Sequence, residues 1–137
     1  MSNKDRTTKF PNGLKSFVVP RDFVEVTADK TLNATTDVGK TFVVYGKNVT
    51  ITLPPLSAGA LYIYTIVNGR PDGDSLLSIL PGTLDGISLI TQVDDKKLLN
   101  GATAATSKLG DYVTLSSASL GVFWVVTDIA GVWAKEP

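Results

Sequence analysis

The sequence VTITLPPLSAGALYIYTIV, residues 49–67, contains the two strongest strand patterns of the chain. Its beginning alternates strictly, with Val49, Ile51 and Leu53 on one face and two threonines on the other, which predicts a half-buried strand. Across Leu61–Val67 both faces carry apolar side chains. This second strand is therefore expected to lie in the centre of a sheet or at a subunit interface.

Similar short patterns recur along the whole chain. They are rich in Val, Ile, Thr and aromatic residues, and Gly, Pro, Asn or Asp separates most of them. The predicted strands are Thr41–Tyr45, Val49–Leu53, Leu61–Val67, Ser75–Leu80, Ile87–Val93, Tyr112–Leu115 and Val122–Thr127. Only residues 94–110 have a sequence that is compatible with a short helix. The pattern predicts an all-β domain, a small β-sandwich, roll or barrel-like fold of about seven or more short strands.

The composition excludes several classes of function. The chain has 137 residues, of which 43% are hydrophobic and 19% charged, as expected for one globular domain. It contains no cysteine and no histidine, which excludes disulfides, thiolate nucleophiles and Ser–His devices. The formal net charge is zero, and no apolar run is long enough to span a bilayer. Neither nucleic acid nor a membrane is therefore expected as a partner.

The charge is distributed unevenly between the two parts of the chain. Residues 1–22 contain five basic and two acidic side chains, and the remainder is correspondingly acidic. We therefore predict an extended basic N-terminal arm, residues 1–22, followed by a single β domain, residues 23–137. The N-terminus lacks the apolar core of a signal peptide, so we expect the protein to stay in the cytoplasm or in an assembly formed there.

Gly39-Lys40-Thr41 is the end of a possible phosphate-binding loop. The complete motif requires glycine five residues before Gly39, where this chain has Ala34. It also requires a helix after Thr41, whereas the sequence continues as a β-branched and aromatic run. These residues are therefore interpreted as a turn between strands, with Gly39 at positive φ.

Acidic residues cluster in two loops, at Asp72 and Asp74 and at Asp94 and Asp95. Such residues can bind calcium or hydrolyse glycosides, but the further ligands that calcium needs are missing at useful spacing. Solvated loop acids are the favoured interpretation. No cofactor, no metal and no enzymatic activity are predicted, and a small hydrolase based on Asp74, Asp94 or Asp95 is the alternative from a different class.

Aromatic residues suggest either packing or sugar binding. Trp124 lies within an apolar run and is expected in the core, whereas Trp133 follows a glycine near the C-terminus. Together with Tyr62, Tyr64 and Tyr112 they could also form a sugar-stacking platform. Packing is favoured because aromatic residues dominate cores and interfaces. Tyr62, Tyr64 and Trp133 are the candidate interface aromatics.

Three segments carry a resemblance to a known family. They are FPNGL (Phe10–Leu14), LNATTDVGKTFVVYGKNVTITLPPLSAGALYIYTIVN (Leu32–Asn68) and GVFWVVTDIAGVWAKEP (Gly121–Pro137). With them the chain resembles the small head-decoration, or cement, proteins of tailed bacteriophages, over about its whole length.

The resemblance implies a structural function without catalysis. Members of this family bind the major capsid protein on the outer surface of the capsid, commonly as homotrimers, and stabilise it by bridging capsomers. It implies a virion location after synthesis in the bacterial cytoplasm. In this family an N-terminal arm contacts the capsid or a neighbouring subunit. The resemblance implies that the corresponding residues here are Lys9, Phe10, Pro11, Asn12, Gly13, Leu14 and Lys15. A tail or fibre β-module that binds a host glycan or another virion protein is the alternative.

Overall fold

A computed structural model describes residues 23–57, 61–82, 85–88, 96–101, 103–117 and 123–137. Within these ranges the chain forms eleven strands and one short 3-10 turn, Ala104–Thr106, which confirms the predicted all-β fold. The strands are β1 (Phe23–Val26), β2 (Lys30–Thr31), β3 (Thr41–Val44), β4 (Thr50–Thr52), β5 (Ile63–Asn68), β6 (Ser78–Leu80), β7 (Gly86–Ile87), β8 (Leu98–Asn100), β9 (Tyr112–Ser117), β10 (Phe123–Ala130) and β11 (Trp133–Lys135).

The strands form two mixed sheets that together make a β-sandwich-like fold. One sheet has six strands in the order β1-β3-β5-β9-β10-β7, and the other has five in the order β11-β8-β6-β4-β2. Buried side chains from both sheets belong to one hydrophobic core. Of the architectures compatible with the sequence, the structure therefore corresponds to the sandwich.

The first six strands wind alternately between the two sheets. In the six-stranded sheet β1, β3 and β5 are parallel, and in the five-stranded sheet β2, β4 and β6 are parallel. Val24 pairs with Phe42, 18 residues later, and Ile51 pairs with Ile79, 28 residues later. Each turn of this coil adds one strand to each sheet, as in β-solenoids. Among the described strands the coil begins with β1 and β2, which come last at the same end of the two sheets.

The later strands are mostly antiparallel and complete both sheets. Strand β9 pairs with β5 on one side and with β10 on the other, with a bulge between Thr114 and Leu115. Strand β8 pairs with β6 and β11. Since β5 has parallel β3 on one side and antiparallel β9 on the other, it joins the two parts of the six-stranded sheet. This confirms the expectation that the strand of residues 61–67 is central.

The core follows the alternation of the sequence. Val49, Ile51 and Leu53 are at most 2% exposed, so the predicted half-buried strand is confirmed. On β5 the side chains of Tyr64 and Ile66 are completely buried. Burial of each such side chain contributes on the order of 1.5–3 kcal/mol relative to an exposed one. The two-residue period of the sequence therefore determines which face of each strand points inward.

An aromatic cluster lies at the centre of this core. Trp124 is fully buried, as expected, and its ring stacks on Tyr62 at a centroid distance of 6.0 Å. Tyr64 contacts Trp124 at 5.8 Å and Phe42 at 6.3 Å. The Tyr64 hydroxyl donates a hydrogen bond of 2.9 Å to the carbonyl of Asn33. Burial, with a smaller contribution from the nearby Asp37 carboxylate, raises the pKa of Tyr64 to about 12.

Not every strand was predictable, and several boundaries differ. Strands β1, β2, β8 and β11 have no counterpart among the predicted strands. Strand β8 lies in the segment compatible with a helix, where the described residues form this strand and the 3-10 turn instead. Of the strand predicted at Ile87–Val93, Ile87 ends β7, Ser88 is a turn, and the rest lies outside the described residues.

Buried polar side chains connect the loops at one end of the sandwich. The Asn68 amide donates to the Lys108 carbonyl, and the Ser107 hydroxyl donates to the Ser75 carbonyl. The Asn100 amide donates to the Asp111 carboxylate at 2.9 Å. Since buried polar groups need partners, these residues hold the loops together.

Candidate interaction surface

One face of the six-stranded sheet points away from the core and is only partly covered. The strands alternate buried and exposed positions, so every second residue contributes to this face. We call it the outer face. It includes Phe23, Glu25, Thr41, Val43, Tyr45, Ile63, Thr65, Val67, Tyr112, Thr114, Ser116 and Asp128. These residues include two carboxylates and no basic side chain.

A row of threonines crosses the middle of the outer face. Thr41, Thr65 and Thr114 lie side by side on β3, β5 and β9. The hydroxyls of Thr65 and Thr114 are 2.9 Å apart and hydrogen-bond to each other. Phe23 continues the row on β1, and Asp128 continues it on β10. Because the hydroxyls of the central pair are mutually satisfied, this part of the face can accept an apolar contact at small cost.

The neighbouring row is more apolar. Val43 on β3 pairs with Val67 on β5, which in turn pairs with Tyr112 on β9. Tyr45 follows β3, and its ring lies directly over Gly69, where a Cβ atom would approach the ring to 2.9 Å. Tyr45 nevertheless remains 45% exposed. The absence of a side chain at Gly69 thus allows a flat aromatic surface at this end of the outer face.

Tyr112 is fixed by an acidic neighbour. Its hydroxyl donates a hydrogen bond of 3.1 Å to the Asp128 carboxylate. That hydrogen bond and the negative charge of Asp128 raise the pKa of Tyr112. The phenol thus acts as a hydrogen-bond donor to this carboxylate.

The size of the outer face limits what it can bind. Four strand spacings of about 4.8 Å and a strand length of about 13 Å give an area on the order of 300 Å². A stable protein interface buries about 800 Å² on each partner. Two apolar side chains of the outer face are exposed, Ile63 by 43% and Phe23 by 58%. The outer face suits the apolar centre of a protein contact that needs further contacts around it.

The candidate interface aromatics have different environments. Tyr64 lies entirely in the core, and Tyr62 is half-buried against Trp124. Trp133 packs against the core, and its indole nitrogen donates 2.9 Å to the Ala130 carbonyl. Only Tyr62 and Trp133 of the three retain exposed atoms. Together with Tyr112, these residues do not form an exposed sugar-stacking platform in the described ranges.

The acidic residues that could support hydrolysis have structural partners or lie outside the described residues. Asp74 forms an ion pair with Arg70, and the hydrogen bond from Arg70 lowers the pKa of this carboxyl group. Asp72 accepts a hydrogen bond of 2.8 Å from the Leu109 backbone. Asp94 and Asp95 fall outside the described ranges. Within those ranges no group of three or more acidic side chains could hold a metal ion.

Gly39-Lys40-Thr41 forms the predicted turn. Gly39 has φ of 84°, and strand β3 begins directly at Thr41. Before the turn, the Asn33 side chain accepts hydrogen bonds from Thr35 and Thr36. The Asp37 carboxylate accepts a bond from the Asn33 backbone. Since a strand follows rather than a helix, these residues have no helix N-terminus for a phosphate, and their interpretation as a turn is confirmed.

The sequence analysis named one part of the candidate site, the arm, and did not name another, the outer face. The proposed arm residues Lys9–Lys15 lie outside the described residues. Thr41, Val43 and Tyr45 were not singled out, although they alternate with buried Phe42 and Val44. That alternation, together with valine and tyrosine on the solvent side, was the sequence signal for a partly apolar outer face.

Comparisons with known proteins give no family. No protein-family model matches the sequence, and no curated protein matches it significantly. In the described part of the chain, no helix has the length and apolar character required to cross a membrane.

Proposed function

We propose that this chain is a non-enzymatic structural protein of a bacteriophage virion. It binds the major capsid protein on the outer surface of the capsid as a homotrimer and stabilises the shell by bridging capsomers. The observation that carries the proposal is the outer face, a sheet surface of valine, isoleucine, threonine and tyrosine that the described residues cover only in part. The resemblance of the sequence to cement proteins supplies the identity of the partner.

The chemistry of the outer face supports a protein partner. Ile63, Val67 and Val43 offer apolar contact area, and the threonine hydroxyls between them are already hydrogen-bonded in part. Glu25 and Asp128 lie at its two sides. Such a surface favours a neighbour with an apolar centre and basic residues around it.

The small area of the outer face supports attachment through several copies. A contact on the order of 300 Å² binds weakly by itself. Three such contacts on one trimer act together, because each bound copy raises the effective concentration of the next. The basic arm adds a contact of opposite charge through Lys9 and Lys15. A trimer with three faces and three arms therefore accounts for stable attachment without a large single interface.

The test is binding to capsids produced by the same phage without this chain. Purified protein is titrated onto these capsids, and the bound fraction is measured by co-sedimentation. The variant Ile63→Lys should lower the affinity by about tenfold or more, because it places a charge among the apolar side chains of the contact. The matched control Thr31→Lys, at an exposed position of the five-stranded sheet, should bind normally.

Two results would contradict the proposal. One is the absence of binding by the unmodified protein. The other is equal binding of the Ile63→Lys and Thr31→Lys variants. Retention of a glycan by the unmodified protein, without binding to capsids, would favour the alternative tail or fibre module.

A further inference from the structure

A β-bulge in strand β10 turns Asp128 onto the outer face. The side chain of Val126 packs against the core, and strict alternation would send Asp128 to the same side. On β9, however, Thr114 pairs with Asp128 and the next residue pairs with Val126, so Thr127 is the extra residue of a bulge. Bulges of this kind redirect side chains and are frequent beside functional sites. The bulge therefore exposes a carboxylate that alternation alone would direct inward.

The Asp128 carboxylate is held in place by two donors and retains further acceptor capacity. The Tyr112 hydroxyl donates to Oδ2 of Asp128 at 3.1 Å, and the Ile129 backbone N–H donates to Oδ1 at 3.0 Å. Each carboxylate oxygen can accept two hydrogen bonds. The contacts made by the described residues thus leave one acceptor position on each oxygen. Two such positions on one oriented carboxylate suit a pair of parallel donors.

The surroundings of this carboxylate suit a flat cation. Ala130 lies directly opposite Tyr112, so the position beside the phenol on β10 carries only a methyl group. Asp128 is exposed, and Tyr112 is half-buried. A guanidinium group stacks on an aromatic ring and at the same time donates two parallel hydrogen bonds to a carboxylate. An ammonium group is a strongly hydrated point charge without this planar fork. The site therefore favours a guanidinium group over an ammonium group.

We propose that Tyr112 and Asp128 form a binding site for a guanidinium group, supplied by an arginine side chain of the partner protein. The carboxylate accepts the two parallel hydrogen bonds, and the phenol ring lies against the plane of the cation. The hydroxyl of Tyr112 orients the carboxylate for this contact. The inference deepens the proposed function, on which it rests for the identity of the partner as the major capsid protein.

Glu25 provides the comparison within the same face. It is a second carboxylate, on β1, with Val43 opposite it on β3. Within the described ranges no tyrosine hydroxyl donates to Glu25, whereas Tyr112 donates to Asp128. A general attraction of cations to the acidic face would use both carboxylates alike. A guanidinium site would depend on Asp128 and not on Glu25.

The first test uses the protein alone. Backbone amide signals of isotope-labelled protein are followed by NMR during titration with N-acetyl-arginine amide, and with N-acetyl-lysine amide at the same ionic strength. The arginine probe should shift the signals of Ile129 and Ala130 saturably, with an affinity about threefold or more above that of the lysine probe. Asp128→Asn should abolish these shifts, and Glu25→Gln should leave them unchanged. Equal affinities of the two probes, or no shift at Ile129 and Ala130, overturns the proposal.

The second test applies the same two variants to capsids. Asp128→Asn keeps an oxygen that accepts the Tyr112 hydrogen bond and removes only the charge, as Glu25→Gln does at its own position. Asp128→Asn should lower the affinity in co-sedimentation by about tenfold, and Glu25→Gln by about threefold or less. Equal losses overturn the assignment of the site to the capsid contact. If the unmodified protein selects the arginine probe but does not bind capsids, the proposed function fails and the guanidinium site stands.

Discussion

The two faces of the six-stranded sheet differ in exposure, and the outer face keeps apolar side chains among its polar ones. On the inner face Phe42, Ile66 and Val113 have no exposed surface. On the outer face the next residues along two of the same strands, Val43 and Val67, are only half-buried. A sheet face that contacts only water normally alternates to polar residues. This outer face keeps apolar side chains among its hydroxyl and acidic ones, which fits the contact surface proposed above.

On this account the inner face of the sheet contributes to folding stability, and the outer face contributes to the proposed binding. Substitutions on the inner face should change the free energy of unfolding without a specific effect on binding. Substitutions on the outer face should affect binding more than the free energy of unfolding. The following predictions test this separation, beginning with the largest expected change in stability.

Truncation in the core should have the largest effect. Phe42→Ala removes a completely buried ring that contacts Tyr64, and we expect the free energy of unfolding to fall by about 3–5 kcal/mol. The adjacent outer-face variant Val43→Ala is the matched control and should cost about 1 kcal/mol or less. Urea unfolding followed by tryptophan fluorescence measures both. Equal losses would show that the two faces are not separated as described.

Alkaline pH should destabilise the protein through Tyr64. Its pKa is raised to about 12 in the folded state, above the usual value near 10, so unfolding releases a proton between these two values. Stability from the neutral phenol is complete below pH 10 and decreases as the pH rises toward 12, by up to about 1.4 kcal/mol per unit. Unfolding at pH 9 and 11 measures the effect. Tyr64→Phe should remove this part of the pH dependence, and an unchanged slope would contradict the burial of the hydroxyl.

The threonine pair should show coupling on the outer face. Thr65→Val or Thr114→Val alone leaves one hydroxyl without its partner and should cost about 1 kcal/mol. The double variant replaces both hydroxyls by methyl groups and should be nearly neutral. A double-mutant cycle from urea unfolding gives the coupling. Additive losses would indicate that the two hydroxyls do not interact.

The smallest stability change is expected at Ile63, although it belongs to the proposed contact. Ile63→Thr should change the free energy of unfolding by about 0.5 kcal/mol or less, because the side chain is 43% exposed. Its affinity for capsids should nevertheless fall, since apolar area is lost from the contact. Thermal unfolding and co-sedimentation on the same samples compare the two effects. A large loss of stability would place Ile63 in the core instead.

Local patterns made much of the fold predictable. The alternation of Val49, Ile51 and Leu53 gave a correct inner face, and the apolar character of both faces of residues 61–67 gave a correct central strand. The β-branched and aromatic residues after Thr41 argued against a helix, and Gly39 was therefore correctly interpreted as a turn residue with positive φ. These features depend on neighbours within about ten residues, which the sequence displays directly.

Other features depend on distant contacts and were not predictable. Strands β2 and β7 have two residues each and carry no periodic signal, so only their pairing defines them. The winding of the chain between two sheets brings together residues 18–28 positions apart, and no local pattern specifies this arrangement. The role of Tyr64 also required the structure, since a tyrosine on a strand suits a core and an interface equally.

The most direct test of the outer face as a contact surface is chemical labelling in the free and capsid-bound states. The variant Ile63→Cys introduces the only thiol of the chain, and Thr31→Cys is the exposed control on the other sheet. Both should react rapidly with a maleimide when the protein is free. On saturated capsids the account predicts that labelling at position 63 slows by about tenfold or more, while labelling at position 31 is unchanged. Equal labelling rates at position 63 in the two states would contradict it.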